Sequence, residues 1–210
     1  MSIRIKDKER LRDMVSTMDA FQDQDTIDLS ELFINKSPMV LDAGCGKGEF
    51  LLDQAIDNPN VNFIGVDYSW KKCLYSQKKI VNNNIQNGYI IRAAFENLFP
   101  KFPDQCFETI FMNFPDPWPK HRHHNRRSLT ESLVDQYARL LKPGGNFYFV
   151  TDCFEYAEWS FPKIEANNYF ENQIKEGWYS NSLNDYSKTL FCGKAEEKGT
   201  KINYLKFKRV

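Results

Sequence analysis

The segment Asp42-Ala43-Gly44-Cys45-Gly46-Lys47-Gly48 constrains this 210-residue chain more than any other. It follows a short apolar run (MVLDA, 39–43) and precedes a stretch of helical character at 49–56, so it reads as strand, glycine loop, helix. Closely spaced glycines let the backbone turn sharply after a strand and let a ligand approach the main chain.

The alternation continues along the chain. Residues 61–66 (VNFIGV) form a second β-rich run ending at Asp67, and 69–81 carries Cys73, Leu74, Gln77 and Ile80 at partial helical spacing, with Ser69 placed to cap it. A weak strand at 89–91 and a stronger one at 107–114 (FETIFMNF) follow. Residues 128–141 hold Leu129, Leu133, Val134, Tyr137, Leu140 and Leu141 at helical spacing and stop before Pro143-Gly144-Gly145, which predicts a helix of about four turns. A fifth strand at 146–151, a helix at 154–167 kinked by Pro162, and a closing strand at 201–209 complete the pattern. Strands alternating with helices predict an α/β, doubly wound, mostly parallel sheet with helices on both faces. In such sheets ligands collect outside the carboxyl ends of the strands. The glycine loop, Asp67, residues 113–118 and Thr151-Asp152 all fall at such ends, so one crevice gathers them.

The loop's spacing bears on the cofactor. A dinucleotide site uses G-x-G-x-x-G with the pyrophosphate at a helix N-terminus, whereas here the last glycine comes one residue early and Asp42 stands just before the loop. A carboxylate there repels a diphosphate but suits a phosphate-free ligand with a cationic amino group, which describes S-adenosylmethionine. Asp67 is placed to accept hydrogen bonds from ribose hydroxyls, a role that either cofactor allows. These residues resemble class I S-adenosylmethionine-dependent methyltransferases. That resemblance supplies the cofactor, since spacing alone leaves an NAD enzyme in competition.

After the fourth strand, Asn113-Phe114-Pro115-Asp116-Pro117-Trp118-Pro119-Lys120 is stiffened by its prolines. A stiff loop suits a site that holds a flat base within near-attack distance of a methyl group. Trp118 offers a stacking face, Asp116 an acceptor or counter-charge, and Lys120 a cation at the rim. The next residues, His121-Arg122-His123-His124-Asn125-Arg126-Arg127, form a phosphate-binding candidate. The flanking arginines oppose a cation among the histidines, and no metal is expected.

The run P-D-P-W-P-K-x-R-H-x-N-R-R at 115–127 closely resembles the signature of the tRNA (guanine-N7)-methyltransferases. The likeness extends over about 39–159, through residues 63–67, Thr151-Asp152 and Tyr156-Ala157-Glu158. It implies a Rossmann-like, mostly parallel seven-stranded sheet. It also implies that Asp42, Gly44, Gly46, Gly48, Asp67, Ala93 and Asp116 contact the cofactor, with Asp116 also the catalytic residue. By the same likeness Lys120, Asp152 and Thr189 bind substrate, Arg122, His123, Arg126 and Arg127 contact RNA, and the partner is tRNA. Guanine N7 has a free lone pair and no proton to lose, so such a reaction needs alignment and a dry cavity more than a strong base.

The chain departs from the family twice. Ala93 stands where the family has an acid, with Glu96 or a backbone amide as a substitute, and Cys192 stands where a glutamate follows Thr189 by three residues. These departures keep two other readings open: a methyltransferase of another substrate, and a non-catalytic RNA-binding subunit of the same fold.

Composition sets the remaining bounds. With 41% hydrophobic and 27% charged residues the chain reads as one globular domain at 38–210 behind an arm at 1–37, helical or partly flexible. No run approaches the 18 apolar residues of a membrane span, and the start has no signal-peptide stretch. Five cysteines without a C-x-x-C pair predict a reduced protein, expected in the cytoplasm as a monomer or homodimer. Lysines and arginines number 28, as do acids, for a net charge of zero. The total conceals a distribution: residues 19–31 hold five acids and no base, whereas 120–127 holds four lysines and arginines, every histidine and no acid. The tail from 188 is basic again.

Overall fold

Every residue of the strand Asn62–Asp67 is buried, as are all but the first of Met39–Ala43. Runs buried on both faces belong at the centre of a parallel sheet covered by two helical layers. A computed structural model describing residues 8–21, 23–187 and 189–210 has this arrangement. The first seven residues of the expected arm, Gln22, and Lys188 of the basic tail lie outside the described residues.

The strands are β1 (Ser16–Thr17), β2 (Met39–Ala43), β3 (Asn62–Asp67), β4 (Gly88–Arg92), β5 (Phe107–Asn113), β6 (Leu141–Thr151), β7 (Phe170–Asn172) and β8 (Asn203–Arg209). They form one sheet in the order β1-β4-β3-β2-β5-β6-β8-β7. The six strands from β1 to β6 pair in parallel, and β8 is antiparallel to both β6 and β7. The helices are α1 (Lys8–Asp13), α2 (Glu49–Asp57), α3 (Trp70–Asn82), α4 (Phe95–Leu98), α5 (Glu131–Leu140), α6 (Phe154–Glu165) and α7 (Leu190–Glu197), with a 3-10 segment at His121–Arg126. Side chains alternate between two cores: Leu41, Ile64, Ile110 and Phe149 join one with Val134 and Tyr156, and Val40, Phe63, Phe111 and Val150 join the other with Leu51 and Leu74.

The sheet has eight strands rather than the seven expected. Two of them are not among the six read from the sequence: β7, of three residues, and β1, whose two residues pair with Ile91 and Arg92, both too short to show a period of two. The described arm packs onto the domain, for Ile27 and Leu29 are 1% and 2% exposed and share the core of Ile64. Helix α5 starts at Glu131 rather than at 128, because the Thr130 side chain accepts from the Leu133 N–H at 3.2 Å and caps it. Ser69 holds the capping position of α3, but its side chain makes no cap bond. All five cysteines are free, and burial pushes the Cys73 and Cys106 thiols up to about 12, which leaves them unreactive.

The order places β3 and β4 on one side of β2 and β5 and β6 on the other. Chain direction across the sheet therefore reverses between β2 and β5, and the crevice of a doubly wound fold opens at their carboxyl ends. Close packing beneath it leaves little slack. A Cβ at Gly65 would meet Leu51 Cδ1 at 2.7 Å and both Cys45 Sγ and Ile90 Cδ1 at 2.9 Å, whereas one at Gly193 in α7 meets nothing within 4 Å. Gly65→Ala is expected to lower the urea midpoint by a stability loss of about 1–3 kcal/mol with the slope unchanged. Gly193→Ala should leave stability unchanged or raise it by up to about 1 kcal/mol.

Candidate active site

The glycine loop leaves β2 and reaches α2 by way of Gly44, Gly46 and Gly48, all at positive φ. The Gly44 and Cys45 N–H groups both donate to the Val66 carbonyl, at 2.8 and 3.1 Å, and Ser76 Oγ donates to the Gly46 carbonyl at 2.9 Å. A Cβ at Gly48 would sit 2.8 Å from Ser76, so that glycine allows α3 to close on the loop; one at Gly44 would meet only Phe95 Cζ, at 3.9 Å. Gly44 thus faces a cavity of about 300 Å³, while Gly46 and Gly48 shape the turn behind it. The cavity is bounded by Gly44, by Asp67 and Tyr68 after β3, by Ala93 and Glu96 after β4, and by Phe114, Pro115 and Asp116 after β5. Its volume is that of a small-molecule site.

Two buried acids stand at the strand ends beside it: Asp67 lines the cavity, and Asp42 precedes its lining residues Ala43 and Gly44. Asp42 pairs in register with Gly65 on one side and Phe111 on the other and is 2% exposed. Among the described residues its Oδ2 has no partner, and burial, with repulsion from Asp67, pushes its carboxyl up to about 7. Asp67, 4% exposed, is compensated: it accepts from the Gly46 N–H at 3.2 Å and the Ser69 N–H at 2.8 Å, and Lys72 Nζ stands 3.5 Å away. An orphaned carboxylate oxygen directly before the cavity-lining Ala43 and Gly44 fits a ligand that brings a cation, as S-adenosylmethionine does. Ala93 lines the cavity and donates its N–H to the Asp67 carbonyl at 3.2 Å. The acid that position lacks stands close by, since Glu96 in α4 lines the same cavity.

The loop after β5 forms the opposite wall. Asn113 Oδ1 accepts from the Tyr186 hydroxyl at 2.8 Å, and the Phe114 N–H donates to the Val150 carbonyl at 2.8 Å. Phe114 and Trp118 lie at φ +48° and +44°, conformations that cost bulky residues roughly 1–3 kcal/mol each. Asp116 is exposed and lines the cavity. Arg126 also lines it, with its guanidinium 5.0 Å from the Trp118 ring, so one stacking face of that tryptophan is already covered. Lys120 and Arg122 are exposed, and the His123 ring stands edge-on to Trp118 at 5.9 Å.

Two of the expected contact residues are buried. Arg127 is 2% exposed and faces inward: Nε donates to the Pro117 carbonyl at 2.8 Å, Nη2 to Glu155 at 3.0 Å, and the guanidinium lies 4.9 and 5.1 Å from the Tyr156 and Trp159 rings. A guanidinium so placed ties the loop after β5 to α6, and it also lines the cavity. Thr189 is 6% exposed, and its hydroxyl accepts from the Cys192 N–H at 3.1 Å and donates to Cys192 Sγ at 3.3 Å. It caps α7. Asp152 is exposed beyond β6 and does not cap α6, whose capping position is Cys153, with its N–H on Thr151 Oγ1 at 3.1 Å. Glu155, which also stands 3.1 Å from His124 Nε2, has no sequence signal beyond being an acid in a first helical turn. Among the described residues no group of three or more His, Cys, Asp or Glu side chains could hold a metal, and no helix is long and apolar enough to cross a membrane.

A family model described as "Putative methyltransferase" matches residues 36–205. The chain is 30% identical over 187 residues, 87% of each chain, to a tRNA (guanine-N(7)-)-methyltransferase of Geobacter metallireducens. It is 29% identical over 216 aligned residues, 100% of this chain and 90% of the other, to one of Zymomonas mobilis. The crystal structure of the aminoglycoside resistance methyltransferase NpmB1 superposes with a TM-score of 0.61 at 19% identity, over 87% of this chain and 92% of its own, a likeness of fold.

The uncompensated Asp42 makes a prediction about pH. Its folded value of about 7 lies above the ordinary 3.8, so the native state keeps a proton that the unfolded chain releases, and stability falls as pH rises from about 4 to about 7. Asp42→Asn removes that loss. Without ligand it should melt above the wild type at pH 8 and converge with it near pH 4 in a thermal-unfolding series; parallel profiles would contradict the buried, unpaired carboxylate.

Proposed function

Because this chain belongs to the tRNA (guanine-N7)-methyltransferase family, we infer that its crevice binds S-adenosylmethionine and directs the methyl group to N7 of a guanine in tRNA. The observation that carries this reading is one cavity bounded on one side by the Gly44 loop and Asp67 and on the other by Asp116. S-adenosylmethionine supplies an electrophilic methyl group on a cationic sulfur. Asp42 holds the ligand's cationic end and Asp67 its ribose hydroxyls, while Tyr68 and the Ala93 strand end pack the base. Glu96 serves as the acid that Ala93 cannot be.

Asp116 acts where ligand and guanine meet. The guanine ring becomes cationic as N7 takes the methyl group, and a fixed carboxylate favours that developing charge without removing a proton. Lys120 and Asp152, exposed at the ends of their loops, contact substrate at the rim. Arg122, His123 and Arg126, on and beside the 3-10 segment His121–Arg126, carry the RNA backbone into the site. The enzyme works in the cytoplasm, where its five free thiols stay reduced.

Incubation with unmodified tRNA and methyl-labelled S-adenosylmethionine, followed by nucleoside separation, should place the label in 7-methylguanosine. Label in another nucleoside, or none although calorimetry shows the cofactor bound, overturns the reading. Asp116→Ala should lower kcat about 10²–10³-fold with tRNA retention near that of the wild type. Lys120→Ala and Arg126→Ala should instead weaken tRNA binding and lower its salt dependence by about one unit each.

A further inference from the structure

The loop that carries Asp116 holds a backbone its own residues resist. Phe114 and Trp118 bracket Asp116 in left-handed conformations, and such backbone persists where the surroundings fix it. At Phe114 the fixing groups are the Val150 carbonyl and the Phe191 ring, stacked at 5.5 Å. At Trp118 the corresponding group is Arg127. Its Nε grips, at 2.8 Å, the carbonyl of the peptide that joins Pro117 to Trp118.

The other end of this guanidinium is anchored wholly on α6. Glu155 accepts Nη2, and Tyr156 and Trp159 offer their ring faces within about a van der Waals layer, at 4.9 and 5.1 Å. Helix α6 starts directly after β6, so Arg127 ties the loop leaving β5 to the helix entered from β6. A planar fork that stays charged can grip a carbonyl and a carboxylate at once while lying against rings; a lysine ammonium cannot. The remaining nitrogen, Nη1, is buried without a partner among the described residues, and Arg127 lines the cavity.

We propose that Arg127 is a positioning residue for methyl transfer: it fixes the Asp116 loop against α6 and takes no part in holding RNA. Its kinetic consequence rests on the function proposed above. Misplacing a reacting group by an ångström costs on the order of 10²-fold in rate. Arg127→Ala should therefore lower kcat about 100-fold while KM for tRNA and the salt dependence of binding stay at wild-type values, opposite to the pattern of Arg126→Ala. Arg127→Lys should remain slow, and millimolar guanidinium ion should restore part of the kcat of Arg127→Ala. Glu155 is exposed at 54% of its side chain, and Glu155→Ala should show the same kcat loss in smaller measure.

A second readout needs no catalysis. In protein labelled with 5-fluorotryptophan, the Trp118 fluorine resonance, assigned through Trp118→Phe, should shift or broaden in Arg127→Ala and in Glu155→Ala, with the Trp70 resonance unmoved. A raised KM and flattened salt dependence with kcat retained would overturn the proposal, as would a Trp118 resonance identical to that of the wild type in both variants. If the wild type makes no 7-methylguanosine, the function falls, and the fluorine spectra still decide whether Arg127 holds the loop.

Discussion

A buried acid with one oxygen that has no partner among the described residues sits at the centre of this structure. Asp42 lies between Gly65 and Phe111 at the centre of the sheet, where its ionised form is costly and no basic side chain offsets it. Evolution rarely retains such a group for stability, because a neutral residue of the same shape would fold better. The cost makes sense if a ligand brings the missing positive charge. Beside it β2 and β5 part at their carboxyl ends, and the glycine loop opens there onto the cavity.

The wall opposite Asp42 is built on strain rather than on burial. Two left-handed residues shape the loop around Asp116, and groups from β6, α6, α7 and the residue after the 3-10 segment hold it. The acids around the glycine loop and the bases at 120–127 share one chain with no net charge, so neutrality of the whole says nothing about either face. Arg127 and Arg126 divide the work of adjacent positions. One is walled in by α6, and the other covers Trp118 from the solvent side.

Much of this was legible in the sequence because local pattern and global fold agree. The continuous apolar run of β3, the glycine loop after β2 and the helical spacing of α5 each read correctly as elements, and the run at 115–127 pointed to the family. What escaped depended on distant residues. Strand β1 is two residues long and exists only through pairing with β4. Whether Arg127 faces solvent or interior is decided by Glu155, Tyr156 and Trp159, which lie on a helix 28 to 32 residues away, and no spacing within a basic octet reveals it. Thr189 turned inward for a similar reason, since with Cys192 in place of an acid its hydroxyl closes on that thiol and caps α7.

The central claim is that this crevice makes 7-methylguanosine in tRNA, and the nucleoside composition of tRNA from cells lacking the chain tests it most directly. Mass spectrometry of hydrolysed tRNA should show 7-methylguanosine lost on deletion and recovered when the wild-type chain is returned, but not when the Asp116→Ala chain is returned. An unchanged level of 7-methylguanosine in the deletion strain would contradict the account.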